Sequence, residues 1–379
     1  MIRMTPDFYD QFRCIGGACQ DNCCIGWEID VDRDALEKYH AVPGAFGERL
    51  RQNIVGDPPH FRLNGERCAF LNADNLCDII LWGGEQMLCE ICDQHPRFRA
   101  GYGDRLEVGA GLCCEVAARQ WLCGSGPVRF VERTVSGAPG RLTREQQRRL
   151  EALLPLRARM LEILALEAPL GSRLAQMVWL AERAQQALDA GKPKRIASLL
   201  SEAEATLSTG AAEPFGGDSG AAEPFGGDSG AAELLDAGCL SALKHMEPID
   251  ANWSAVLARL EAQLPEIRSR RIAPPDRENA YARLATYAVY RYLLKGVFDG
   301  DVLSRARWAA VLVWITRRLD ALFLLEAGGW SEDLEIAAAK LLSKQVEYSR
   351  ENMTLMLSEC WNSRWMTTRI IAEAAEREM

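Results

Sequence analysis

The sequence predicts a mainly α protein: a loop-rich, cysteine-bearing metal-cluster domain at the N-terminus, followed by an all-helical C-terminal domain. Three observations lead there. Of 13 cysteines, only Cys239 and Cys360 lie beyond residue 123. From about residue 142 onward apolar residues recur every three or four positions, the helical period. Strand-like alternation is scarce in that second half.

Residues 1–125 form the first expected domain. Gly, Pro, Asn and Asp punctuate short apolar pieces such as "CAFL" and "CDIILW". Short helices are expected at "DRDALEKYHAV" and "CCEVAARQWL", and "WEIDVD" alternates acidic and apolar residues as a half-buried strand does. So small a core leans on bound metal for stability. A helical segment follows over 140–209. In it, "GSRLAQMVWLAERAQQALDAG" ends on Gly191, a natural C-cap. Residues 210–233 contain the ten-residue unit GAAEPFGGDS twice, Gly210–Ser219 and Gly220–Ser229. Such a Gly-, Pro- and Ser-rich stretch cannot bury enough apolar surface to order itself, so a disordered linker is expected. Residues 234–379 are expected to be helical, through "WSAVLARLEAQL", "SRARWAAVLVWITRRLDALFLLEAG" and "TTRIIAEAAEREM".

The chain has 379 residues, 48% hydrophobic and 26% charged, with a formal net charge of -9. An acidic balance argues against a nucleic-acid binder. No apolar run approaches the ~20 residues of a membrane helix, and the N-terminus lacks the apolar stretch of a signal peptide. The expectation is a soluble, cytoplasmic protein with neither membrane nor nucleic acid among its partners.

In a reducing compartment a dense set of thiols binds metal rather than forming disulfides. "CIGGACQDNCC" puts Cys14, Cys19, Cys23 and Cys24 within eleven residues. Only Cys89 and Cys92 have the C-x2-C spacing usual for structural zinc. Adjacent thiols do not easily share one tetrahedral zinc, though they can serve different sites. The spacings suit the wider cage of an iron–sulfur cluster somewhat better, and zinc stays open. The C-x3-C-x2-C of radical S-adenosylmethionine enzymes is absent, as are G-x-G-x-x-G, a P-loop and H-E-x-x-H.

Several stretches together resemble the flagellin lysine N-methylases of bacteria. They are "YDQFRCIGGACQDNCCIGWEIDVD", "CAFLNADNLCDII", "CEICDQHPRF", "LCCEVAARQWL" and, in the second half, "ENAYARLATYAVYRYLL". The resemblance implies methyl transfer from S-adenosylmethionine to lysine ε-amino groups of flagellin, with a [4Fe-4S] cluster. The ligand candidates it implies are Cys14, Cys19, Cys23, Cys24, Cys68, Cys77, Cys92 and Cys114. Cys89 and Cys113 look like local additions, and Cys123, Cys239 and Cys360 like ordinary buried thiols. Candidates for taking the lysine proton are Tyr9, Glu28 and Asp30. Trp27, Arg97 and Arg99 are candidates for holding the methyl donor, whose sulfonium suits an aromatic face and whose carboxylate suits arginine. Two other readings stand beside this one: a non-catalytic zinc- or iron-binding module that docks a partner through its helices, and a cluster-based electron-transfer protein.

Overall fold

The computed structural model describes residues 1–19, 23–26, 28–208, 230–272 and 277–379, with 203–208 as backbone only. The fold is mainly α, as expected, built around one four-stranded sheet. The chain opens with β1 (Ile2–Pro6), passes through the stretch of residues 14–24 and continues into α1 (Arg33–Ala41) and α2 (Gly44–Asn53). Two short hairpins follow, β2 (Ile54–Val55) with β3 (His60–Phe61) and β4 (Leu63–Asn64) with β5 (Arg67–Cys68). Then come α3 (Asp78–Gly83), α4 (Glu90–Gln94), β6 (Arg97–Tyr102), β7 (Arg105–Ala110), α5 (Glu115–Leu122) and β8 (Phe130–Thr134). The sheet order is β6–β7–β1–β8, with β1 parallel to β7 and antiparallel to β8.

The helical remainder runs through α6 (Arg144–Leu164), α7 (Leu170–Asp189), α8 (Arg195–Ser208), α9 (Gly230–Lys244), α10 (Trp253–Ser269), α11 (Glu278–Tyr292), the short α12 (Gly296–Asp299), α13 (Leu303–Ala327), α14 (Glu332–Glu347), α15 (Arg350–Asn362) and α16 (Thr368–Glu378). Thr143 and Gln146 close a reciprocal capping box at the start of α6. Gly191, at φ +66°, follows the last turn of α7 as the periodicity predicted. Every residue of α13 from Leu303 to Thr316 is buried, the mark of a helix surrounded by others. Gly171 lets α7 press against α16: a Cβ there would lie 2.1 Å from the Ala375 carbonyl oxygen.

The packing departs from the expected division in three places. Residues 24–92 have their own small core, built on Ile29, Tyr39, Leu50, Phe61 and Phe70. Tyr102, Leu112, Trp121 and Leu122 belong instead to the large core of the helices, so no break in packing falls near residue 125. The sheet itself, which needs pairing across more than 90 residues, had no local signature. Finally, α9 begins at Gly230, inside the last four residues assigned to the linker; 210–229 lie outside the described residues.

One face of α11 joins the strands to the helices. Arg283 donates to the carbonyls of Trp121 (2.5 Å), Gly126 (2.9 Å) and Gln120 (2.9 Å). The Tyr290 hydroxyl lies 2.8 Å from the Met4 carbonyl and 3.1 Å from that of Val108. Beneath it, Glu107 of β7 accepts two hydrogen bonds from Arg157 of α6, at 2.5 and 2.6 Å, with both side chains buried. Removing one partner of such a pair strands a charge, whereas replacing both does not. Glu107→Ala is expected to lower unfolding free energy by about 3–5 kcal/mol. The double replacement of Glu107 and Arg157 by Leu should recover most of that loss, as measured by urea denaturation.

Candidate metal centre

The thiols gather at the ends of short elements rather than within long ones. Cys23 and Cys24 lie on the loop leaving the N-terminal turns, Cys68 ends β5, Cys77 precedes α3, and Cys89 and Cys92 flank the start of α4. The Cys24 carbonyl accepts from Cys68 N at 2.9 Å, and Asp78 N donates to the Phe70 carbonyl, which draws three of these segments together. Asp32 caps α1 through Ala35 N (2.9 Å) and also accepts from Glu90 N (2.7 Å), locking the start of α4 against α1. Those amide bonds hold the Asp32 carboxyl below its ordinary range, although burial opposes them.

Six thiols thus influence one another. The hydrogen bond with Cys23, then burial, pushes Cys24 far above the usual thiol range, with Cys68 and Cys77 adding to it. Cys92 is raised in the same way by Cys89 and by burial, and its hydrogen bond lowers Cys89 in turn. Burial pushes Cys68 up to about 11 and also raises Cys77. Thiols packed this closely resist ionising until a cation balances them. Cys89, read from sequence as a local addition, is fully buried within the group.

Three further thiols interact among themselves. Cys114 senses Cys19 and Cys14, and burial holds it up at about 11. Cys19 Sγ lies 3.9 Å from Glu115 Oε2 at the start of α5. Cys113, next in sequence to Cys114, senses that thiol. It accepts a hydrogen bond from the Tyr348 hydroxyl at 2.9 Å, beside His95. Arg291 and Tyr287 of α11 press on the same loop, where a side chain at Gly111 would meet Arg291 Nη1 at 3.1 Å. Burial, then Arg97, pushes His95 down to about 4, so its ring is neutral at physiological pH.

Among the described residues no three Cys, His, Asp or Glu side chains are drawn up as a ready-made single-ion site. In donor type and convergence, the six-thiol group fits a soft, thiolate-held centre spanning several chain segments. Of the eight cysteines carried over from the resemblance, Cys23, Cys24, Cys68, Cys77 and Cys92 interact within the larger group, and Cys14, Cys19 and Cys114 within the smaller.

The other expected residues are dispersed. Glu28 is exposed, 3.9 Å from His60 Nε2, and Asp30 forms an isolated bridge with His60. In "WEIDVD" Ile29 and Val31 are buried and Glu28 and Asp30 face outward, but Asp32 turns to the Ala35 and Glu90 amides, and the stretch makes an isolated bridge rather than the expected strand. Tyr9 sits on a single 3-10 turn with the Arg3 guanidinium over its ring at 5.4 Å. Among the described residues no hydrogen bond, ion pair or ring contact links Tyr9 to Glu28 or Asp30. Arg97 lies over the Phe12 ring at 5.2 Å and donates to the Asp93 carbonyl, while Arg99 is exposed on β6. Trp27 lies outside the described residues. Cys239 and Cys360 are buried in the helical core as expected, whereas Cys123 is only half-buried at its edge.

The flagellar biosynthetic protein FliU of Salmonella muenchen is 32% identical over 124 residues, covering 30% of this chain and 73% of that protein. The chain belongs to the FliU and lysine-N-methylase family. The lysine-N-methylases of Salmonella typhimurium and Salmonella choleraesuis are each 26% identical over 142 residues, or 34% of this chain. The match spans only 35% of those two relatives. No family model matches the chain, and no solved structure matches it significantly. No helix of this family member, among its described residues, is long and apolar enough to cross a membrane.

If the larger group binds metal, Cys24→Ser and Cys92→Ser should each lower metal content of anaerobically purified protein by more than half. Cys360→Ser, in the helical core, should leave it unchanged. Iron, acid-labile sulfide and zinc analysis checks both.

Proposed function

We propose that this chain is a protein lysine N-methyltransferase that moves a methyl group from S-adenosylmethionine to surface lysines of flagellin in the cytoplasm, and that its larger thiol group carries a [4Fe-4S] cluster. The observation that carries the reading is the similarity to proteins named lysine-N-methylases, together with a flagellar relative matched over most of its length.

Lysine sets the chemical demand. Its ε-amine is nucleophilic only when neutral, and at pH 7 that form lies about 4.6 kcal/mol above the ammonium, given a pKa of roughly 10.4. The chain must desolvate the amine or offer a group that takes its proton. Tyr9, Glu28 and Asp30 remain the candidates. Glu28 and Asp30 share the His60 edge, and Tyr9 lies next to Phe8, whose ring packs under Arg283. A bound cluster would supply a covalent tie among segments that form only a small core of their own. Tyr348 and His95 then have a positioning role: they fix Cys113, and with it the loop that presents Cys114.

The test is direct. Purified protein, unmethylated flagellin and deuterated-methyl S-adenosylmethionine should yield flagellin lysines carrying labelled methyl groups by mass spectrometry. Absence of label with metal-replete, folded protein would overturn the reading. Among Tyr9→Phe, Glu28→Gln and Asp30→Asn, the variant that removes the proton acceptor should slow transfer by roughly 100-fold, the usual scale of general-base catalysis, and shift the pH–rate profile. The other two should stay near wild type.

A further inference from the structure

A cavity of about 680 Å³ opens between the α6–α7 connection, the Gly126–Val128 loop and the first turns of α11. Its volume is that of a small-molecule site. The walls are apolar over Leu161, Leu164, Val128 and Ala282, with Arg173 and Glu278 at one end. The orientation of Arg173 is specific. Its Nη1 donates to the Leu164 carbonyl at 2.8 Å, which anchors the guanidinium to the end of α6. The opposite Nε–Nη2 edge is underused: Nη2 makes one long contact with Glu278 Oε2 at 3.3 Å, and Nε has no hydrogen-bond partner among the described residues. That edge is the one a carboxylate takes with two parallel hydrogen bonds. The side chain is 7% exposed, so leaving a donor there unpaired is costly. Arg283, the other arginine on the wall, already donates to three backbone carbonyls and has no such edge to offer.

A cation whose side edge waits for an acid, beside a half-exposed carboxylate, presents both signs at one spot. The complement is the zwitterion of an α-amino acid, its carboxylate on Arg173 and its ammonium on Glu278, with an apolar body lying along the leucines. We infer that this cavity binds a ligand bearing an α-amino-acid head and, resting on the methyltransferase reading, that the ligand is the methyl donor. Arg97 and Arg99 are then not its carboxylate partners. The eight-residue helix α5, about 12 Å long, runs between the Cys114 end and the cavity loop. The thiol centre accordingly acts at a distance from the donor, as a structural tie.

The experiment is isothermal titration of the full chain with S-adenosylhomocysteine, with methionine and adenosine as its two halves. Glu278→Gln changes an exposed rim residue and leaves the core intact. Arg173→Lys keeps the charge but removes the two-donor edge. Each should weaken S-adenosylhomocysteine binding by roughly tenfold or more, the loss of one charged hydrogen bond, without altering adenosine affinity. If Arg173→Lys does not fold, Glu278→Gln alone carries the test. Unchanged binding in the folded variants, or no binding of any of the three probes to wild type, would overturn the inference. Flagellin methylation by the same preparation reports on the enzyme reading separately, so activity with unchanged variants would mean that the donor sits elsewhere.

Discussion

The structure depends on what α11 does with backbone carbonyls. Strands and loops of the first 134 residues end in oxygen atoms that would otherwise face an apolar helical surface. Arg283 and Tyr290 meet five of them from one helix face. Burying unpaired carbonyls costs more than burying paired ones gains, so this face dictates where the sheet and α5 dock. The same helix carries Tyr287 and Arg291 toward Gly111–Cys113 and Glu278 toward the cavity. Glu347 of α14 accepts from Tyr287 at 2.8 Å and pairs with Arg291 at 3.2 Å, which carries the constraint on to the seam at Tyr348. One helix therefore fixes both the smaller thiol group, through the Cys114 loop, and the proposed donor cavity.

Much of the helical half was legible because its cause is local. Periodicity marked α7, α10, α11 and α13 with little ambiguity, and Gly191 announced the end of α7 through its own lack of a side chain. The cysteine count announced that the N-terminal region gathers thiols. What stayed hidden was every feature created by distance along the chain. Nothing in "IRMTP" says that it will pair with residues 105–107 on one side and 130–134 on the other. Trp121 and Tyr102 look like members of the cysteine region until they are seen inside the helical core.

The site divides along the same line. The adjacent cysteines showed in sequence that two locations could be served, but not which thiol goes where. Cys23 and Cys24 stay together, whereas Cys113 and Cys114 part, one toward Tyr348 and the other toward Cys19. The C-x2-C spacing of Cys89 and Cys92 is a local signal of two thiols that interact in the fold, although the sequence reading set Cys89 aside as a local addition. The acidic pair Glu28 and Asp30 was readable as an outward face, since Ile29 and Val31 alternate with it. Arg173 had no signal at all: an arginine in an amphipathic helix looks like any solvated charge until the Leu164 carbonyl is found to hold it.

The sheet order has a consequence for how the chain is made. β1 is interior, yet its neighbours β7 and β8 are synthesised about a hundred residues later. The thiol-bearing segment is thus an excursion that leaves the ribosome before the strands that clasp its two ends. Its short helices, hairpins and small core form from neighbours in sequence, the fast kind of contact, while the sheet waits for long-range closure. Folding of the thiol segment and closure of the sheet are therefore separable in time: the nascent thiols form an open, reachable surface before the clasp and the α11 face have formed behind them.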